Sequence, residues 1–181
     1  MADINKNLKS ICSFYASEWH LVTMLLPNLD QKINKGVKVT TILEKDLTKE
    51  METLLTKLHL EDKKEIINSE LLYEIHKQII VKSDDDEKNI GWQKSNLEDI
   101  KQAVQNNDCI IINGTKEFIE KAREEIENNL LENKIIEIID CYDIEDCKYG
   151  IKDILDKHDK ILNTSGEKNK EEYITTIKVA N

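Results

Sequence analysis

Short apolar runs alternate with helical periodicities along this chain. Apolar runs at 11–15, 37–43, 109–112 and 134–139 have the length and composition of buried strands. Between them, apolar residues recur every three or four positions, which predicts amphipathic helices. This alternation predicts an α/β fold, with a largely parallel sheet of about five strands and helices on both faces.

The first predicted helix follows Ser17, a residue type that commonly caps helix N-termini. Its apolar positions recur at helical spacing: Leu21, Met24, Leu25, Leu29 and Ile33. Pro27 interrupts this pattern, which predicts either a kink or a later start of the helix. Gly36 stands where a helix usually ends.

A strand-to-helix turn is predicted at Asn113-Gly114-Thr115. Backbone N–H groups at such a turn can bind an anion. This turn lacks the glycine spacing of a dinucleotide site and the Gly-Lys-Ser/Thr of a P-loop. The favoured interpretation is therefore a plain turn in which Thr115 caps the next helix.

The chain is predicted to form one domain over residues 1–181, a length sufficient for a single core. We expect a polar loop at 165–170 and an edge strand at 173–179. The segment 63–82 fits both helix and strand patterns, so the sequence leaves the structure of residues 60–95 open. The acidic run at 83–87 favours a solvated turn, since it lacks the alternating ligands and central glycine of an EF-hand.

Charge and hydropathy argue against nucleic-acid and membrane partners. The net charge is −10 and the isoelectric point is about 5.0, whereas a nucleic-acid site normally shows a basic patch. No stretch approaches the roughly 18–20 apolar residues of a membrane span, and the N-terminus lacks the apolar core of a signal peptide. We therefore expect a cytoplasmic protein without nucleic-acid or membrane binding. Its richness in Lys, Ile, Asn and Glu is typical of AT-rich bacterial genomes.

The four cysteines are predicted to be reduced, buried thiols: Cys12, Cys109, Cys141 and Cys147. Their spacing does not match a structural zinc site. A nucleophilic pair of Cys12 or Cys141 with His20 or His158 stays open, and it requires a depressed thiol pKa. Without a recognisable oxyanion site or a third orienting group, the sequence does not indicate an enzyme.

Polar and aromatic residues gather where two predicted strands end, the place where α/β sheets commonly bind ligands. Asp140-Cys141-Tyr142-Asp143 follows the strand at 134–139, and His158 lies near the end of the next helix. Trp92 could line the same pocket or pack at the core edge. The candidate ligand-binding residues are Cys12, Tyr15, Trp92, Cys141, Tyr142, Asp143 and His158.

Both ends of the chain resemble the MEDS (methanogen/methylotroph DcmR sensory) domain family. That family opens with His-Ile-Cys-x-x-Tyr. Ile11, Cys12 and Tyr15 match this motif, and Ser10 stands at the usual histidine. The family closes with a Cys-Tyr-Asp motif, a helix, a histidine and a short apolar strand. Those positions are filled by Cys141, Tyr142, Asp143, His158, Ile161 and Leu162.

The resemblance implies a three-layer α/β sheet similar to RecA and KaiC domains, without a working phosphate-binding loop. It also implies a sensory role in signalling or transcription regulation, with a small apolar or hydrocarbon-like ligand. Tyr142 and Trp92 would supply flat apolar area, while Asp143 and His158 would orient a polar group. Because the DNA-binding or kinase modules of the family are absent from this sequence, the chain would act through another protein.

Two other functions stay open at this point. The chain could be a protein-interaction module without a small ligand, for instance a partner of a kinase or of a sigma-factor regulator. An exposed apolar patch would favour that function. It could also be a thiol-based redox sensor or enzyme, which a depressed thiol pKa would favour. The sequence identifies no cofactor.

Overall fold

The computed structural model describes residues 7–59, 79–80 and 94–173. The strands are β1 (Leu8–Tyr15), β2 (Val39–Leu43), β3 (Ile79–Ile80), β4 (Cys109–Gly114), β5 (Ile136–Asp143), β6 (Lys160–Asn163) and β7 (Gly166–Asn169). The helices are α1 (Glu18–Asn34), α2 (Thr48–His59), α3 (Lys94–Asn106), α4 (Lys116–Asn128), α5 (Ile144–Cys147) and α6 (Ile151–Asp156).

One mostly parallel sheet contains these strands in the order β3-β2-β4-β5-β1-β6-β7. Six of the described strands run parallel, and β7 pairs antiparallel with β6. The predicted α/β class and its largely parallel sheet are thus confirmed. The sheet is larger than the predicted five or so strands because short pairings at β3, β6 and β7 extend its edges.

Helices cover both faces of the sheet and give three layers. Apolar residues of α1 and α2 pack on one face, which we call the α1 face. Apolar residues of α3, α4, α5 and α6 pack on the other, which we call the α4 face. None of the described helices has both the length and the apolar composition needed to cross a membrane.

The central strand β5 is longer than predicted, because pairing with β1 continues through Asp143. Asp140 and Cys141 are therefore strand residues with no exposed surface, not groups beyond the strand end. The prediction ended the strand before Asp140, the first of four consecutive polar or reactive residues. In the structure, partners on the α4 face compensate the buried carboxylate of Asp140.

Helix α1 begins at its predicted cap, so the later start suggested by Pro27 is wrong. The Ser17 side chain accepts a hydrogen bond from the His20 backbone N–H. Pro27 lies inside the helix on its exposed side. Gly36 follows the helix with a φ of 75°, the left-handed conformation that glycine adopts readily.

The segment 165–170, predicted as a loop, contains β7. Its residues pair with β6, for example Glu167 with Leu162. A polar sequence is compatible with a strand at this end of the sheet, where one side of the strand faces solvent. The predicted edge strand at 173–179 lies outside the described residues except for Tyr173, which is helical.

Candidate functional site

The predicted site residues are divided between the two faces of the sheet. Cys12 and Tyr142 lie on the α4 face, whereas Tyr15 and Cys141 lie on the α1 face. The physical reason is that successive strand residues point to opposite faces. The structure therefore does not place these four side chains in one crevice, although β1 and β5 are paired neighbours.

On the α1 face, Tyr15 is held by the protein itself. The Asn113 side-chain amide donates to the Tyr15 hydroxyl at 2.8 Å and to the Cys141 carbonyl at 3.1 Å. Burial raises the pKa of Tyr15 to about 12. Tyr15 and Cys141 thus belong to the packed core on this face.

Asp143 acts as a helix cap. Its carboxylate accepts a hydrogen bond from the Glu145 backbone N–H at 2.9 Å, at the start of α5. The Cys147 thiol donates to the Asp143 carbonyl at 3.2 Å. Trp92 lies outside the described residues, as does the acidic run at 83–87.

All four cysteines are buried and free. Burial raises the pKa of Cys12 to about 12, with a smaller contribution from the nearby Asp140 charge. Burial also raises the pKa of Cys109, Cys141 and Cys147. A nucleophilic thiol requires a lowered pKa, so these environments do not favour the thiol-based alternative.

A buried charged cluster on the α4 face joins β5, α4 and the turn after α6. Arg123 donates through Nη1 to Asp140 Oδ2 and through Nη2 to Ser10 Oγ, the latter at 2.8 Å. His158 Nε2 lies 2.6 Å from the same Asp140 oxygen. His158 Nδ1 lies 2.5 Å from the Ile154 carbonyl oxygen. We call Arg123, Asp140 and His158 the β5 charge cluster.

Both ring nitrogens of His158 face oxygens of the protein. This leaves neither nitrogen available for the polar ligand group that His158 was expected to orient. A charge buried as deeply as Asp140 requires such partners, since an unpaired carboxylate in the interior is costly. The role of His158 in the structure is to attach α6 to the sheet.

An open cleft of about 480 Å³ lies over this cluster, between α4 and α6. Tyr142 and His158 are the predicted site residues that line it. Tyr142 stacks on Phe14 with 5.9 Å between ring centroids, and its ring meets His158 edge-on at 6.2 Å. The full lining comprises Lys116, Glu120, Arg123, Glu124, Glu127, Tyr142, Asp153, Ile154, Asp156, Lys157 and His158.

Sequence reasoning missed Arg123 and Asp140. A carboxylate inside an apolar strand is a signal for a buried cation partner. Arg123 is the single arginine among the 26 Lys and Arg residues of the sequence. Because arginine is the preferred cation for buried ion pairs, this was a second signal.

The start of α4 confirms the interpretation of Asn113-Gly114-Thr115 as a turn with a helix cap. The Thr115 side chain accepts from the Phe118 N–H at 3.2 Å. The carboxylate of Glu44 accepts from the Thr115 N–H at 2.7 Å. A carboxylate of the protein thus occupies the position at which an anion would meet this helix end.

No metal centre is apparent among the described side chains. Within 7–59, 79–80 and 94–173, no group of three or more His, Cys, Asp or Glu residues is arranged to hold an ion. The cleft is therefore the candidate site that the described structure offers.

No family model and no curated protein matches this sequence. The resemblance to the MEDS family therefore stays a prediction, and so does the likeness to RecA and KaiC domains. Functional inference depends on the cleft and on the residues that form it.

Proposed function

We propose that this protein is a cytoplasmic small-molecule sensory or regulatory module that binds its ligand in the α4–α6 cleft. The observation that carries the proposal is a cleft on the α4 face that includes Tyr142, near the carboxyl end of β5, and follows α4 from Lys116 to Glu127. Parallel α/β sheets commonly bind ligands at this end. A volume of about 480 Å³ is typical of small-molecule sites.

The ligand is a polar molecule. The resemblance implied an apolar or hydrocarbon-like ligand, but most residues of this cleft carry charge. Tyr142 provides the flat apolar area, and burial raises its pKa, so the ring stays neutral at physiological pH. The charged side chains of α4 and α6, together with the Tyr142 ring, suit a ligand with charged groups on a short carbon chain.

The response to the ligand would pass through α6. This helix has six residues, and the His158–Asp140 contact attaches it to the sheet. Next to that contact, the Asp159 N–H donates to the Ser10 carbonyl at 2.8 Å. A ligand can shift a conformation only through different affinities for two states. We propose that occupancy changes the position of α6 and thereby the surface shown to a regulatory partner protein.

Native mass spectrometry of the purified full chain, with no ligand added, tests this function. We expect a discrete extra mass that is lost on denaturation. Asp153→Trp should abolish it, because the bulky ring fills the cleft from an exposed position on α6. Asp99→Trp, at an exposed position of α3 outside the lining, should retain it. A clean apo mass for the wild-type protein would contradict a tightly bound ligand.

A protein-interaction module without a small ligand is the second candidate. The specific observation in its favour is exposed apolar surface at α5 and in the turn after it, where Ile144 is 37% exposed and Tyr149 is 94% exposed. Solvent-exposed aromatic side chains are common anchors at protein interfaces. The clean apo mass described above would favour this candidate over the sensor.

A further inference from the structure

The end of β4 contains the one Asn-Gly pair of the sequence, Asn113-Gly114. We propose that Asn113 is a site of spontaneous deamidation, that the fold suppresses this reaction, and that the modified chain cannot regain the fold. The inference does not depend on the cleft or its ligand, because it concerns hydrogen bonds in the core on the α1 face.

The reaction needs only the chain itself and water. The Gly114 backbone nitrogen attacks the side-chain amide carbon of Asn113, and a new C–N bond closes a five-membered succinimide ring. Ammonia leaves with the amide nitrogen and the Gly114 proton. Water then adds to one of the two ring carbonyls and breaks its C–N bond, which gives aspartate or isoaspartate with one new carboxylate. Asparagine is a thermolabile residue, and glycine favours the attack because it has no Cβ atom to crowd the ring.

In the folded protein, hydrogen bonds hold the Asn113 side chain in place. Its amide nitrogen donates to the Tyr15 hydroxyl at 2.8 Å and to the Cys141 carbonyl at 3.1 Å, and the residue is only 4% exposed. Attack by the Gly114 nitrogen requires this amide to turn toward its own backbone, which would break both hydrogen bonds. The native contacts therefore protect Asn113.

Strand pairing restricts the backbone at the same point. Asn113 pairs with Leu43 of β2 and with Cys141 of β5, and its carbonyl accepts from the Glu44 backbone N–H at 3.0 Å. Ring closure needs a backbone that can turn, so this end of β4 must first separate from its neighbours. Because deamidation is slow compared with such opening and closing, its rate in the folded protein follows the population of the opened form.

The product does not fit the space that Asn113 occupies. A carboxylate has no N–H to donate, so it would face the Cys141 carbonyl oxygen as a second acceptor. The charges that act on the neighbouring Tyr15 hydroxyl are also negative, those of Asp143 and Asp146. A buried carboxylate without a cation is costly, and isoaspartate adds a main-chain carbon that interrupts the pairing of β4. Deamidation thereby makes a reversible opening irreversible.

Peptide mapping by mass spectrometry tests the protection, with the full chain incubated at mildly alkaline pH in buffer and in concentrated urea. We expect Asn113 to be converted in urea and largely retained in buffer. Tyr15→Phe removes one of the two acceptors and should raise the rate in buffer by about fivefold, the equivalent of one net hydrogen bond, without changing the rate in urea. Tyr149→Phe, at a 94% exposed tyrosine, is the matched control and should leave both rates unchanged. Gly114→Ala should slow the reaction in urea, where the fold has no influence.

Urea unfolding of Asn113→Asp tests the consequence, since this variant reproduces the aspartate product. Its unfolding midpoint should fall. Asn163→Asp is the matched control, because the Asn163 side-chain oxygen accepts from Ser165 and a carboxylate keeps that role. Equal rates for the wild-type protein in buffer and in urea would overturn the proposal, and this comparison requires no variant to fold. A wild-type midpoint for Asn113→Asp would overturn it as well, and an unchanged rate in buffer for Tyr15→Phe would reject the hydrogen bonds as the source of protection.

Discussion

At the scale of single residues, Asp140 has the largest consequences for this fold. Its carboxylate lies in the middle of β5 with no exposed surface, and its partners reach it from α4 and from the turn after α6. Breaking such a pair by removing one partner leaves a buried charge without compensation. The stability of the packing on the α4 face therefore depends on the few polar contacts of the β5 charge cluster.

Arg123→Met tests this dependence. The substitution retains an apolar chain but removes the guanidinium, so we expect the free energy of unfolding to fall by about 3–5 kcal/mol. Urea unfolding followed by circular dichroism measures it. Lys152→Met, an exposed position on α6, is the matched control and should change stability little. Combining Arg123→Met with Asp140→Asn should cost less than the sum of the two single changes, because they share one interaction.

Single-residue predictions succeeded where the chemistry is local. Ser17 and Thr115 cap their helices as expected, because a cap depends on residues within one turn. Tyr142 and His158 both line the cleft. Arg123 was missed, because its pairing with β5 depends on how two elements pack.

At the scale of elements, the turn between β4 and α4 brings the backbone of Gly114 close to two side chains. A Cβ atom at Gly114 would lie 2.5 Å from Phe118 Cδ1 and 2.6 Å from Glu44 Oε2. Both neighbours have roles of their own, since Phe118 is buried in the core and Glu44 accepts from the Thr115 N–H. The turn therefore has room only for glycine unless these groups move.

Gly114→Ala should lower the free energy of unfolding by roughly 1–3 kcal/mol, the typical cost of overpacking. Gly150→Ala is the matched control. The closest atom to a Cβ there is Lys116 Nζ at 3.8 Å, an ordinary contact with a flexible side chain. Thermal unfolding of both variants measures the difference. Equal stabilities of the two variants would contradict the close approach at Gly114.

Element boundaries were predicted less well than element types. The strand at 134–139 was placed correctly but ended too early, because a charged residue was taken as its end. Buried partners on another element allow β5 to continue through Asp140. Pro27 led to the opposite kind of error. It suggested a later start for α1, but the helix begins at its predicted cap and includes Pro27 at an exposed position.

At the scale of the whole molecule, the thiols are distributed over both cores. Cys109 and Cys141 pack on the α1 face, and Cys12 and Cys147 pack on the α4 face. Burial raises the pKa of every one of them. Each thiol thus keeps its proton in the folded protein at a pH where the unfolded chain loses it.

Stability should therefore fall at alkaline pH. The contribution of a buried thiol to the free energy of unfolding is fully present below 9.0, the thiol pKa of the unfolded chain. For Cys12 this contribution is lost as the pH rises toward its folded pKa of about 12. Each protonated thiol adds a slope of about 1.4 kcal/mol per pH unit in that window. Urea unfolding between pH 8.5 and 10.5 measures the slope.

Cys12→Ala provides the control for this pH dependence. The variant should unfold more easily at every pH, because it leaves a cavity. Its slope above pH 9 should nevertheless be shallower than that of the wild-type protein. Identical slopes would contradict the burial of the Cys12 thiol in the native state.

The class of the fold was predictable from the sequence, but its arrangement was not. Alternating strands and helices predict parallel pairing, and the sheet agrees. The same pattern does not determine strand order, nor which face each helix covers. Cys12 and Tyr15 were expected in one crevice for a different reason: the prediction did not apply the alternation of side chains along a strand, which places residues three positions apart on opposite faces.

The position of β1 between β5 and β6 has a consequence during protein synthesis. Leu8 pairs with Ile136, and Ile11 pairs with Lys160. At roughly 5–20 residues per second, the ribosome needs on the order of ten seconds to make those partners after β1. Throughout that interval the backbone N–H and C=O groups along both edges of β1 have no native partner, so the nascent chain exposes unpaired strand edges until the sheet can close.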